Sequence, residues 1–274
     1  MASITAGEFT QLKDYLYNTA GIDLGAGKEY LVSARLTEVC KALEIGSIST
    51  LISQLRSRQK VGDAVVEAMT TNETSFFRDS APFEALQSLI LPELIEKRKT
   101  QKSLKIWSAA CSTGQEPYSL AIMLREHFPQ LAGWNVSILA TDIAENKVIE
   151  KARAGQFSQL EVSRGLPARM LVRYFKQKGR MWEINQDLRD MVSFKKVNLL
   201  EVPSYLGNFD LLLCRNVLIY FDNTTKKKIL DTLQRHLVKD GILMLGGSEL
   251  LMGLTKTLER RSLGRSTCYQ HTVG

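Results

Sequence analysis

Asp142 ends an apolar run, residues 136–141, and Asn216 and Tyr220 follow another, residues 209–214. Polar groups at the carboxyl ends of buried strands are where an open α/β sheet meets a ligand, and an acid there accepts hydrogen bonds from both hydroxyls of a ribose. The same acid equally suits the cap of a following helix. A third apolar run begins at Leu104 and leads through Ser108-Ala109-Ala110-Cys111-Ser112-Thr113-Gly114 into an amphipathic helix over 118–127. Small side chains let the backbone approach a ligand, and a helix start offers free N–H groups. Glu116 near that start either complements the helix dipole or faces the ligand. Upstream, residues 71–79 crowd Thr71, Asn72, Thr74 and Arg78 beside Phe76 and Phe77. A guanidinium there could clamp a carboxylate through two parallel bonds, or it is a surface arginine of a linker. Lys196-Val197-Asn198-Leu199-Leu200 is a further strand end of the same kind.

Several chemistries are disfavoured. A single glycine, Gly114, does not make the GxGxxG of dinucleotide sites, and neither GxSxG nor a phosphate-binding P-loop occurs. His127, His236 and His271 are far apart, without metal-ligand spacing to Cys or Asp, so no metal is expected. Cys40, Cys111, Cys214 and Cys268 are scattered and suit a reducing cytoplasm. The opening residues lack the pattern of a secretory signal, and no uncharged apolar run reaches the length of a bilayer span. A cytoplasmic location is expected, with no membrane insertion.

The elements that must position these residues follow from periodicity. In 274 residues, 44% are hydrophobic and 24% charged, enough for two modest domains with their own cores. Residues 1–80 balance to −2 and the remainder to +9. That favours acidic partners in general, but no basic run is interleaved with aromatics, so nucleic acid is not indicated. Four helical stripes precede residue 70: Phe9, Leu12, Tyr15, Leu16; Tyr30, Leu31, Ala34, Val39, Leu43; Ile48, Leu51, Ile52, Leu55; and Val61, Val65, Val66, Met69. A longer amphipathic helix covers 82–98, then strands and helices alternate, as in a mostly parallel sheet covered by helices. A helix covers 222–237, capped by Asp222 or Asn223, Asp240-Gly241 is a turn before a strand at 242–245, and 257–261 pairs antiparallel with 266–272. Residues 177–197 hold two alternating segments, 181–184 and 191–194, that predict a small antiparallel insertion. The expected organisation is a helical domain over 1–70, a linker and connecting helix over 71–103, and an α/β domain over 104–274 interrupted by an antiparallel subdomain at 176–197.

Taken together, TNETSFFRD (71–79), WSAACSTGQEPYS (107–119), ATDI (140–143), VNLL (197–200) and CRNVLIYFD (214–222) resemble the CheR family of chemoreceptor glutamate methyltransferases. AGIDLGAGKEYLVSARL (20–36) resembles its helical N-terminal domain, and the resemblance runs from about Phe9 to Tyr269. It implies a class I methyltransferase sheet, S-adenosylmethionine as donor and S-adenosylhomocysteine as product. It implies glutamates of the cytoplasmic methylation helices of chemoreceptors as acceptors. Carried over, Asn72, Thr74, Arg78, Glu116, Asp142, Asn198, Leu199, Asn216 and Val217 would line the donor site. Asp142 would hold the ribose, Arg78 the methionine carboxylate, and Tyr220 would stand near the sulfonium and the entering acceptor. Arg78 and Tyr220 would thus be the catalytic pair, and Arg35 and Lys41 would dock the acidic receptor helix. Some members grip a receptor tether peptide with a longer, glycine-containing loop in the insertion. Here that stretch, 176–182, is shortened, which predicts tether independence. A monomer is expected. The alternatives are a methyltransferase of another substrate class and a non-catalytic donor-binding module.

Overall fold

A computed structural model describes residues 4–25, 27–251 and 253–272. Met1–Ser3 of the opening segment and Ala26 of the family-like N-terminal motif lie outside the described residues. Helices α1 (Ala6–Ala20), α2 (Glu29–Ala42), α3 (Ile48–Ser53) and α4 (Gln59–Met69) form the N-terminal domain. Thr5 caps α1 through a reciprocal capping box with Glu8, and Gly21, at φ +70°, ends it in the left-handed conformation. Its core gathers Leu12, Leu16, Leu36, Leu51 and Val65, all fully buried. The stripe expected on α2 is displaced. Tyr30, Leu31 and Ala34 are exposed; Val39 is buried and Leu43 packs against the core as expected, and Val32, Leu36 and Cys40 complete the buried face. The true stripe keeps helical spacing but starts two residues later and includes a cysteine.

The connecting helix runs over 80–98, as α5 (Ser80–Ala85) and α6 (Leu91–Arg98) joined by a π-helical turn, Leu86–Ile90. A seven-stranded sheet follows, in the order β6-β2-β1-β7-β8-β10-β9. Its strands are β1 (Ser103–Ala109), β2 (Asn135–Asp142), β6 (Val192–Lys196), β7 (Phe209–Cys214), β8 (Leu237–Leu245), β9 (Leu258–Leu263) and β10 (Ser266–His271). The β6-β2-β1-β7-β8 portion is parallel, and β10 runs antiparallel to both β8 and β9. Strand residues alternate between two cores. Ile106, Ile138 and Leu211 face the side of α5–α6 and helix α7 (Gln115–His127), whereas Trp107, Leu139 and Leu212 face the helix Asn223–Arg235.

Two sequence expectations change here. Asp240-Gly241 lies inside β8, where the pairing with β7 slips between Phe209 and Leu211. Arg98 holds the excursion through paired bonds to Asp240 (2.6 and 2.9 Å) and one to Asp210 (2.6 Å). Residues 191–194 do not join the small antiparallel sheet; Val192–Phe194 fall in β6, at the edge of the large one, and Met191 precedes it. The small sheet has the order β3-β5-β4, from β3 (Gln156–Ser158), β4 (Phe175–Lys178) and β5 (Met181–Ile184). A short alternating segment has the same pattern in either sheet, so periodicity could not separate them.

The linker is anchored by Phe76, fully buried and edge-on to Phe157 and Phe175 of the small sheet at 5.0 and 5.6 Å. Gly165, at φ +83°, lies so close that a Cβ there would be 1.9 Å from the Phe76 carbonyl oxygen. Gly165→Ala is therefore expected to destabilise the protein by about 2 kcal/mol or more, from left-handed strain plus the clash. Urea unfolding reads this, and an unchanged midpoint would refute it.

Candidate functional site

Strand β1 is the middle one of the five parallel strands, with β2 on one side and β7 on the other. The chain order reverses there, and a crevice opens beyond the carboxyl ends of the strands. A cleft occupies this place, lined by Ala110–Ser112 after β1, Asp142 and Ile143 at the end of β2, residues 197–199 after β6 and residues 215–217 after β7. Met69 at the end of α4, the following residues 70–74 and Arg78, together with Ala20 at the end of α1 and Ile22 beyond it, form the facing wall. All nine residues expected at a donor site line this one cleft, as does Tyr220. Arg35 and Lys41 do not. The Arg35 guanidinium donates to the Ala68 and Met69 carbonyls at the end of α4 (3.2 Å each), and exposed Lys41 pairs with Glu38 (2.8 Å).

Asp142 is buried, and each carboxylate oxygen takes one backbone amide: Oδ2 from Ser112 (2.9 Å) and Oδ1 from Ala144 (3.1 Å). Burial pushes its pKa up, and these amides oppose the shift. Each oxygen keeps a further lone pair, so the acid can accept two hydroxyls. Gly114, at φ +94°, begins α7, and a Cβ there would sit 2.9 Å from that of Ala152, which fixes glycine at this turn. Five non-glycine residues at positive φ cluster around the cleft: Phe77 (48°), Asp79 (58°), Ala110 (55°), Ser112 (50°) and Asn216 (58°). Such backbone is uncommon and concentrates where a ligand is to be gripped.

Other side chains brace the walls. Asn198 donates from Nδ2 to the Thr19 carbonyl (2.7 Å), tying the end of α1 to the loop after β6. Ser112 Oγ donates to the Asn72 carbonyl (2.9 Å), joining loop and linker. Arg78 spends one N–H group on the Glu73 carbonyl (2.8 Å) and keeps the rest of its fork. Tyr220 is 41% exposed at the rim.

Sequence reasoning missed two residues. Arg215, only 1% exposed at its side chain, donates to Glu116 (2.9 Å), Asp79 (3.1 Å) and the Arg78 carbonyl (2.9 Å). Glu116 also accepts from Ser108 Oγ (2.8 Å), so two donors hold it in the wall. Buried Glu249 accepts from the backbone of residues 216, 217 and 219. A charge beside an apolar strand end is the only sequence signal for Arg215, and Glu249 carried none.

The donor set fits S-adenosylmethionine: an acid with two free acceptor positions, an arginine fork and apolar Ile143, Leu199 and Val217 for a base. Burial pushes the Cys111 thiol up, which leaves it unsuited as a nucleophile. Among the described residues the cleft is lined by no histidine and no lysine, and no group of three metal-ligating side chains occurs.

The sheet order, its antiparallel end and the cleft at the reversal point define a class I methyltransferase fold. The chain belongs to the CheR methyltransferase family: the domain described as "CheR methyltransferase, SAM binding domain" matches residues 72–266, and "CheR methyltransferase, all-alpha domain" matches residues 7–70. Relatives include "Chemotaxis protein methyltransferase 1" of Pseudomonas aeruginosa, 42% identical over 92% of this chain and 93% of that protein. Another, of the same name from Vibrio cholerae, is 40% identical over 94% of each. The chain is an S-adenosylmethionine-dependent methyltransferase acting in chemotaxis.

Ionised Asp142 is the acceptor form, and burial costs it stability as pH rises. With the donor ribose on Asp142, donor binding is expected to weaken as pH falls, starting above the range of an ordinary aspartate near about 4. Asp142→Asn is expected to weaken binding about tenfold or more at neutral pH and to remove this acid step. Calorimetric titrations across roughly pH 5–8 check both; a variant that keeps the step would refute the assignment.

Proposed function

We propose that the enzyme methylates glutamate side chains of chemoreceptors in the cytoplasm, forming methyl esters and S-adenosylhomocysteine. The observation that carries this reading is a cleft with two arginines, three acids and a rim tyrosine but no histidine or lysine among its described lining residues. A glutamate with a pKa of about 4.3 is already ionised at neutral pH. It needs no general base, only alignment and partial loss of water. Bound S-adenosylmethionine supplies a methyl group activated by positively charged sulfur. In this reading Asp142 holds the ribose, Arg78 the donor carboxylate, Asn216 and Val217 the adenosyl part, and Tyr220 orients the entering acceptor. The names of the relatives support the chemotactic setting.

Labelled donor incubated with receptor cytoplasmic fragments is expected to give label that is released by mild base. Label stable to base, or found in RNA, would refute the ester. Arg78→Ala is expected to raise the donor KM about 10- to 100-fold, the loss of a charge-assisted pair. Docking through Arg35 and Lys41 is part of the proposal. Lys41→Glu is the cleaner test, because reversing Arg35 also removes the bonds to α4; a higher acceptor KM is expected.

The β4–β5 hairpin closes in a two-residue turn, Gly179-Arg180, with Lys178 opposite Met181. This supports the proposal that the enzyme works without a receptor tether. Calorimetry with the isolated tether peptide is expected to show no binding, and tight binding would overturn the proposal.

A further inference from the structure

Strand β8 ends at Leu245, and the chain turns so that Glu249 points back at its own strand end. The carboxylate, 6% exposed, accepts four backbone N–H groups. Its Oε2 takes Gly246 (2.7 Å) and Asn216 (2.8 Å), and its Oε1 takes Val217 (2.9 Å) and Ile219 (3.3 Å). Two of the four donors, Asn216 and Val217, lie in the short segment between β7 and the turn Leu218–Tyr220, and a third, Ile219, lies in the turn itself. That segment needs outside support, because Asn216 is held at φ +58° and residues 215–217 belong to no helix or strand. The strand end presses on it as well. A Cβ at Gly246 would stand 2.6 Å from Glu249 Oε2 and 2.9 Å from the Asn216 nitrogen. Glu249 does not itself line the cleft, whereas Asn216, Val217 and Tyr220 do.

We propose that Glu249 is a positioning residue, whose carboxylate sets the Asn216–Val217 wall and, through it, Tyr220 against the donor. This rests on the reading of the cleft as the S-adenosylmethionine site. A carboxylate suits the task because both oxygens accept two bonds each, whereas a glutamine of the same size would turn an NH₂ group toward two of the four amides. If Glu249 acted only on folding, its loss would lower stability and leave the affinity of the folded protein unchanged.

The test is S-adenosylhomocysteine binding by calorimetry to the wild-type chain, Glu249→Gln and Ile242→Val. The last removes one methylene from the β8 core, away from the cleft. Glu249→Gln is expected to raise Kd tenfold or more, while Ile242→Val lowers the melting temperature with Kd unchanged. Glu249→Gln binding as tightly as wild type would overturn the proposal, as would parallel losses of affinity in both variants. A wild-type chain that binds no S-adenosylhomocysteine would instead refute the donor reading itself. Should Glu249→Gln fail to fold, Glu249→Asp keeps the charge but withdraws it by one methylene, and it carries the same two outcomes.

Discussion

The guanidinium of Arg215 is removed from water at the end of the central β7, and a buried cation of this kind is tolerated only where it is paired. Its partners come from three places: Glu116 at the start of α7, Asp79 just before α5, and the Arg78 carbonyl in the linker. The Phe83 ring also lies 5.7 Å from its guanidinium carbon. This one charge obliges the linker to cross the carboxyl edge of the sheet. The crossing places Asn72, Thr74 and Arg78 over the cleft, and Phe76 in its slot between Phe157 and Phe175 locks it. The left-handed backbone at Phe77 and Asp79 follows from this path.

Residues that line the cleft at strand ends were legible because their chemistry contradicts their surroundings. Asp142 and Asn216 stand at the ends of strands that are otherwise apolar, and Gly114 breaks a run of small residues before a helix. Two residues that brace the site, Arg215 and Glu249, were not. Arg215 meets Glu116 across 99 residues, and Glu249 meets Asn216 across 33. Nothing in the local pattern of either segment specifies such a meeting. Glu249 also spends its charge entirely on backbone amides, which every sequence possesses.

The fold shows the same division. The four N-terminal helices and the alternation after residue 104 followed from periodicity, a property of each segment alone. Where β6 pairs and where β8 slips depend on partners distant in the chain. The α2 face was misread because Tyr30 and Leu31 are apolar yet exposed, a reminder that surfaces carry apolar side chains freely.

The helical domain and the sheet domain keep separate cores, and apart from Ile143 against the helices and Gly21 against Phe221 they meet largely through polar ties. Tyr17 donates to Asp222 (2.6 Å), Asn198 to the Thr19 carbonyl, and Lys196 pairs with Asp63 (2.8 Å). Glu67 accepts from Asn146 (3.3 Å) and from the backbone of Lys147. Such a seam can part while each core stays intact, because sub-global opening requires only the loss of the contacts that cross it. The lifetime of the closed cleft is then set by the seam and not by either core, and amides along the facing wall would exchange with solvent on that faster clock.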